Sequence, residues 1–270
     1  MNIYNLKAEK IGSLNAPRQF SEEYHPDLIK RAVLSMRSNK RQSYGADILA
    51  GKKTSVRLSK RRRDYKTSYG HGMNRTPRKV MWRRGRQFGW EGAFAPGTVG
   101  GRKAHPPKSS KIWSLKINDK ERRKAIRSAL AATLDKDIVT LRNHLVPKIF
   151  PLVISNDIEL LQKTKEVKEA FDNLGLKEEV ERVEKKKKGA GKGKIRGRRK
   201  ISKKGLLVVV SKNCPLLKSA KNIEGIDIVM VDKLNAELLA PGAVAGRLTL
   251  FSSMAIERLE KEQLFMEKQK

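Results

Sequence analysis

The chain has 270 residues, 61 of them Lys or Arg against 28 Asp or Glu, a net charge of +33. At 38% hydrophobic residues it can still bury a core. So large a positive charge repels itself and calls for a polyanionic partner, nucleic acid before an anionic membrane. One cysteine, Cys214, excludes an internal disulfide framework and a multi-cysteine zinc site, and suits a reducing cytosol. The opening MNIYNLKAEKIG has no apolar run of the secretory kind. The longest apolar stretch, Leu206–Val210, is far too short to span a bilayer, so no membrane partner is expected.

In chain order, Asn2–Leu6 and Ile11–Leu14 read as short strands with Gly12 at a turn. His25-Pro26-Asp27 opens a helix to about Asn39. Leu28, Ile29, Ala32, Val33 and Met36 lie on its apolar face, and Lys30, Arg31 and Arg37 opposite. A long basic excursion follows, from about Ser43 to Lys111. Ile112–Ile117 alternates. Asn118 has the position of an N-cap, with Glu121 at N3, for a helix whose stripe is Ala125, Ile126, Ala129, Leu130 and Thr133. Its expected outer face carries Arg122, Arg123, Lys124 and Arg127.

From Asp135 strand and helix patterns alternate. Ile138–Leu141 and Leu152–Ile154 are short apolar runs; Asn156–Asn173 is helical and stops at Gly175; Leu176–Glu184 is an acidic helix. Gly205–Ser211 is the best strand, apolar on both faces as a central parallel strand should be. A short helix at Pro215–Ala220, a strand at Ile226–Val231, a helix near Leu234–Leu239 and a strand at Leu248–Phe251 follow. Ser252 or Ser253 caps a last helix to about Gln263. The fold class is therefore α/β, a parallel sheet covered by helices, with a long extended basic loop, or arm, inserted. The expected domains are a discontinuous globular body of residues 1–42 and 112–270, an arm of residues 43–111, and a basic, flexible insertion at 185–204.

The charge is concentrated. Arg57–Lys111 holds 16 Lys or Arg against Asp64 and Glu91, and Lys185–Lys204 holds 12 basic residues and no acid. These two stretches carry +26 of the +33. In the first, Arg outnumbers Lys, which suits bidentate phosphate contacts and stacking on bases. Aromatics are interleaved with it: Tyr65, Tyr69, Trp82, Phe88, Trp90 and Phe94. No aliphatic neighbours are present to make a core of them, so they are base-stacking candidates for unpaired RNA. Recurrent Gly and Pro77, Pro96, Pro106 and Pro107 break regular elements there. Such a segment orders against a polyanion. Two legs of about 35 residues at ~3.3 Å each could reach roughly 100 Å into a large RNA.

No catalytic constellation emerges. Gly189-Ala-Gly191-Lys-Gly193 follows a helix and lacks the dinucleotide spacing, and Gly92-x4-Gly97 is followed by Thr98 where a P-loop needs Lys. His25, His71, His105 and His144 are far apart in sequence, without metal or triad spacing. Cys214 reads as an inert thiol. Neither a cofactor nor a metal is expected. An RNA-modifying enzyme would need a cofactor loop after a strand, and Ser211-Lys212-Asn213 after the best strand is not glycine-rich. A chromatin-type DNA-binding protein would bind duplex DNA as well as structured RNA.

Gly100–Lys108 (GGRKAHPPK), Lys116–Arg123 (KINDKERR) and Ala125–Thr133 (AIRSALAAT) resemble the large-subunit ribosomal protein four family, in its archaeal and eukaryotic branch. The likeness covers nearly the whole chain. It implies a cytoplasmic, non-catalytic constituent of the large ribosomal subunit. Such a protein binds ribosomal RNA early in assembly and touches several RNA domains, alongside neighbouring ribosomal proteins. Its arm tip would form part of the polypeptide exit tunnel and meet the nascent polypeptide. On this reading the RNA-binding residues are Arg57, Lys60, Arg61, Arg62, Arg63, Lys66, Arg75, Arg78, Lys79, Arg83, Arg84, Arg86, Arg102, Lys103, His105, Lys108 and Lys111. Arg122, Arg123 and Arg127 would position the body. The tunnel tip falls at Lys79–Glu91, with Arg83, Arg84, Arg86 and Trp90 as candidates. Met81-Trp82 and Phe88-Gly89-Trp90 are bulkier than the glycine- and arginine-rich tips of the family.

Overall fold

The computed structural model describes residues 1–64, 67–85 and 87–267. The chain forms two compact units, Met1–Lys40 with Ser114–Lys270, and Arg41–Trp113. In chain order the elements are β1 (Asn2–Tyr4), β2 (Lys10–Ser13) and α1 (Pro26–Asn39), then β3 (Arg78–Arg84) and β4 (Gln87–Gly92) of the smaller unit. The larger unit resumes with α2 (Asp119–Ala131), α3 (Lys136–Leu141), β5 (Leu152–Ile154), α4 (Asp157–Leu160), α5 (Thr164–Asn173) and α6 (Lys177–Glu184). It continues through β6 (Lys187–Lys188), α7 (Gly191–Ile195), β7 (Lys200–Ile201), β8 (Leu207–Val210) and α8 (Leu216–Ser219). It ends with β9 (Asp227–Met230), α9 (Ala236–Leu239), β10 (Thr249–Ser252) and α10 (Ser253–Lys261). Among the described residues no helix is long and apolar enough to cross a membrane.

The larger unit is an α/β body on a six-stranded sheet of order β2-β1-β5-β10-β8-β9. Five strands run parallel; the edge strand β2 is antiparallel to β1, so the sheet is mixed rather than wholly parallel. The short link from Tyr4 to Lys10 explains this. A parallel neighbour needs a crossover of a dozen residues or more, and this connection has room only to double back. Gly12 lies inside β2 opposite Ile3, not at the turn.

Successive strand residues point to opposite faces, and both faces are covered. Leu207, Val209, Val153 and Phe251 pack with α1, α2 and α10, through Ile29, Val33, Ile126, Leu130 and Ile256. Val208, Val210, Leu152, Ile154 and Leu250 face α3, α5 and α8, through Val139, Val167, Phe171 and Leu216. Each such side chain contributes about 1.5–3 kcal/mol by leaving water.

Local signals place the helices. Ser252 caps α10 by accepting from Ala255 N (3.2 Å), and Asn235 caps α9 by accepting from Leu238 N (2.9 Å). Gly175, at φ +74°, ends α5 in the left-handed conformation. Asn118 holds the N-cap position of α2 with extended dihedrals, but its side chain makes no capping bond. The apolar run Ile138–Leu141 is helical, inside α3, because Asp135 accepts from Asp137 N (2.9 Å) and Ile138 N (3.5 Å) and starts a helix there. A short apolar run alone does not separate the two states. Ile112–Ile117 joins no strand; Leu115 instead gives its carbonyl to Ser35 Oγ (2.6 Å) and its N–H to Asn39 Oδ1 (3.1 Å). Within Lys185–Lys204, expected to be a flexible insertion, β6 and β7 form a two-stranded antiparallel ladder around α7.

Buried polar side chains of the body are bonded to one another and to the backbone. Arg247, fully buried, donates to the carbonyls of Gly205 (2.8 Å), Leu206 (3.3 Å) and Leu238 (3.0 Å) and to Asp227 (2.7 Å). Glu179 accepts from Arg182 Nε (2.7 Å) and Leu145 N (3.1 Å) and meets His144 Nδ1 at 2.6 Å. Glu159 accepts from Ser211 N and Oγ (2.7 Å each) and Ser252 Oγ (2.5 Å), tying together the carboxyl ends of β8 and β10.

Candidate nucleic-acid interface

The unit Arg41–Trp113 is built around a hairpin that the sequence, read as broken by Gly and Pro, did not announce. Val80, Trp82, Phe88 and Trp90 favour extended backbone, and Gly85 adopts φ +56° where the chain reverses. β3 and β4 pair from Arg78↔Gly92 to Arg84↔Gln87, with a register shift between Val80 and Trp82. Trp82 sits opposite Gly89, and its indole covers that glycine so closely that a Cβ there would lie 1.9 Å from Nε1. Gly89 is thus the seat of the Trp82 ring. Trp82 remains 55% exposed and Met81 60%, so the hairpin presents a bulky apolar edge.

Around it, guanidinium groups lie over aromatic faces. Arg62 and Arg75 lie over Tyr69 (5.5 and 5.7 Å), Arg78 over Trp90 (5.9 Å), Arg83 over Phe88 (5.8 Å) and Arg102 over Phe94 (5.6 Å). Each pair joins a charge that can meet a phosphate to a flat face that can meet a base. The acids of Arg57–Lys111 satisfy little of this charge: Asp64 meets Arg57 (3.5 Å) and Glu91 meets Lys79 (3.7 Å).

Of the sequence candidates, Arg57, Lys60, Arg61, Arg62, Arg63, Arg75, Arg83, Arg84, Lys103, His105, Lys108 and Lys111 are exposed. Arg78, Lys79 and Arg102 are half-buried, as are the rings of Phe88, Trp90 and Phe94, while Tyr69 is exposed. Tyr65, Lys66 and Arg86 lie outside the described residues. One group escaped the sequence reading. Tyr44 stacks on Trp113 (centroids 5.7 Å apart, planes 16°), with Arg41 over Trp113 at 3.6 Å and Lys111 at 4.3 Å. Its members are some 70 positions apart in the chain, and no local pattern links them.

In the body, α2 corrects part of the expected basic face. Arg122 is exposed and paired with Asp119 (2.9 Å). Arg123 is half-buried and donates to the Met266 carbonyl (2.9 Å). Arg127 is buried, 7% exposed, bonded to Glu22 (2.7 Å) and the Phe265 carbonyl (2.8 Å). It sits among the apolar stripe residues Ala125, Ile126, Ala129 and Leu130, so it belongs to the packing and not to an outer face. At the carboxyl ends of the strands, where open α/β sheets hold ligands, Ser211 is occupied by Glu159 and by Arg258, which donates to its carbonyl (2.5 Å). Burial, together with the Glu159 charge, pushes the Cys214 thiol up, the opposite of activation.

The sequence profile of the ribosomal protein L4/L1 family matches residues 14–262. A protein of Nanoarchaeum equitans described as large ribosomal subunit protein uL4 is 49% identical over 264 residues, 97% of this chain and 98% of that protein. The proteins of the same description from Archaeoglobus fulgidus and Methanosphaera stadtmanae are 44% and 43% identical. They align over 95% and 96% of this chain and 96% and 95% of their own lengths. Full-length likeness of this degree, on an α/β body carrying an arginine- and aromatic-rich unit, makes the chain a member of the ribosomal protein L4/L1 family.

Proposed function

We propose that this chain is a structural, non-catalytic protein of the large ribosomal subunit, working on the ribosome in the cytoplasm and bound to ribosomal RNA and neighbouring ribosomal proteins. The observation that carries the reading is the set of guanidinium–aromatic pairs on Arg41–Trp113, with the relatives' description beside it. Arg61, Arg62, Arg83, Arg84, Lys103 and Lys108 neutralise phosphates and release counterions, giving an affinity that falls steeply with salt. Tyr69, Trp82, Phe88 and Trp90 take splayed bases.

The finer reading follows from the family. The unit Arg41–Trp113 acts as an arm that enters the RNA early in assembly and touches several of its domains. Residues near Arg83, Arg84, Arg86 and Trp90 form part of the exit tunnel and meet the nascent polypeptide. Trp82 joins this set because it is exposed beside Arg83 on the same strand. Arg127 leaves the RNA-binding set, and Arg122 remains as the exposed contact on α2. The enzyme alternative loses support from the Glu159 bonds to Ser211, which fill the end of β8 where a cofactor loop would open.

The test is sedimentation of the native protein from lysate in magnesium, before and after a high-salt wash. Retention on the large subunit through the wash is expected of an integral component. Migration as free protein before the wash would overturn the ribosomal assignment. For the tunnel, a photoreactive residue at position 84 should crosslink to a stalled nascent chain; crosslinks to RNA alone would remove the tip from the tunnel.

A further inference from the structure

The body carries a cleft of about 510 Å³ beside the amino ends of β8, β9 and β10. Its walls are charged rather than apolar. Arg37 and Lys40 enter from the end of α1, Arg142 from the end of α3, and Lys204 and Arg247 from the residues leading into β8 and β10. Two carboxylates, Asp227 and Glu237, face these five cations, leaving an excess of three positive charges.

Both carboxylates are already committed. Asp227 binds Arg247 (2.7 Å) and Lys204 (2.9 Å), and Glu237 binds Lys40 and lies 3.6 Å from Arg37. Arg142 has no carboxylate at ion-pair distance among the described residues. Its guanidinium donates instead to the neutral carbonyls of Val244 and Pro241, the latter at 2.5 Å. Burial first, and then the like charges of Arg247 and Arg182, lower its pKa to about 10. A half-buried guanidinium without a carboxylate partner is held at a cost that a bound anion would reduce. Arginine's fork suits two oxygens of a tetrahedral anion, and Lys40, exposed at the rim beside Glu237, adds a point charge.

We propose that this cleft is a phosphate-binding site of the body, with Arg142 as the principal donor and Lys40 at its mouth. The phosphate group can come from an RNA backbone or from a free phosphate compound. The site is made of body residues only, so it does not rest on RNA contact by Arg41–Trp113.

The test uses the intact chain and three variants, Arg142→Gln, Lys40→Ala and, as a control in the other unit, the double variant Arg83→Gln with Arg84→Gln. Each is titrated with pyrophosphate, and separately with a short single-stranded RNA, at matched ionic strength, and thermal unfolding of the body is followed. A ligand that binds the folded state alone raises the midpoint saturably. The expected result is a half-saturating pyrophosphate concentration raised about tenfold in both cleft variants, as losing one charge-assisted contact implies, with the double variant unchanged. If the cleft variants titrate as the parent does, the site is overturned. Should Arg142→Gln not fold, Lys40→Ala carries the test, since that side chain is exposed. Protection of the body by the RNA at lower concentration than by pyrophosphate, lost in the cleft variants, assigns the site to backbone phosphate. Protection by pyrophosphate alone assigns it to a free phosphate compound. The reading of Arg41–Trp113 fails by a different result: unchanged ribosome association in the Arg83, Arg84 double variant.

Discussion

The body buries apolar side chains on both faces of its sheet, whereas among the described residues of Arg41–Trp113 the buried apolar side chain is Ala93 alone, with Ser59, Thr67 and Ser68 as buried polar neighbours. The body places its arginines in bonds: Arg247, Arg127 and Arg182 each meet a carboxylate. The smaller unit lays Arg62, Arg78 and Arg83 over aromatic rings and has two acids in the whole of Arg57–Lys111. A region that buries its apolar surface can exist by itself. A region that leaves charge and aromatic surface unspent has its main stabilisation in a partner. The same residue type thus has opposite meanings in the two units, and exposure and pairing, not arginine content, separate an arginine open to a partner from one bound in the core.

Breaking this contrast from the body side should have the largest effect. Arg247→Ala leaves Asp227 and three carbonyls without their buried donor, and should cost the body about 3–5 kcal/mol in denaturant unfolding. All three tryptophans lie in Arg41–Trp113, and their fluorescence on the remaining folded fraction should not change. A shift in that fluorescence would mean that the units are not separable in this sense.

From the other side, replacing Arg83, Arg84 and Arg86 together by Ala should leave the unfolding midpoint of the body within the range of neutral surface changes, about 0.5 kcal/mol. The slope of log Kobs against log salt for ribosomal RNA should fall by about 2–3, from three lost phosphate contacts. Loss of the body's thermal transition in this variant would contradict the separation.

Acid should act on the body through the His144–Glu179 pair. Burial, with Arg182 and Arg142 nearby, holds the His144 imidazole below its ordinary 6.5 despite Glu179. The unfolded chain therefore takes up a proton near pH 6.5 that the folded chain refuses, and stability falls as the pH drops below that value. Burial pushes Glu179 up, but its bonds from Arg182 and His144 outweigh this and leave it below its ordinary 4.5. Its stabilisation is present above about pH 4.5 and is lost as the pH falls through the folded value. His144→Phe should flatten the first part of this profile; an unaltered profile between pH 6.5 and 5 would acquit the histidine.

The smallest effect is expected at Gly89. An alanine there must displace the Trp82 ring, but that side chain can swing toward solvent, so unfolding of the body should not change. Trp82 fluorescence should shift toward that of a hydrated indole. RNA affinity should drop less than about threefold if a single stacking contact is weakened.

Much of the body was legible because its signals are local. Gly205–Ser211 reads as a strand from its apolar run and holds β8, Ser252 or Ser253 reads as a cap and Ser252 is the one that caps, and α2 reads from its stripe at helical spacing. Local pattern was not enough where a neighbour decided. Asp135 turned the Ile138–Leu141 run helical, Glu22 and the Phe265 carbonyl drew Arg127 inward, and the Trp82–Gly89 contact shaped a hairpin in a stretch that reads as broken.

The sequence by itself determined where charge and apolar surface lie along the chain, and with them the α/β class and the excess of cationic and aromatic groups in Arg57–Lys111. Periodicity and charge are properties of adjacent residues and need no fold to be counted. Only the tertiary structure decided which cations are spent in the core and which are free to act. It seated Tyr44 on Trp113, buried Arg127 and Arg247, and brought Arg37, Arg142 and Arg247 to one cleft from three distant parts of the chain. Pairing and desolvation depend on what the fold brings within a few ångströms, and sequence distance carries no record of that.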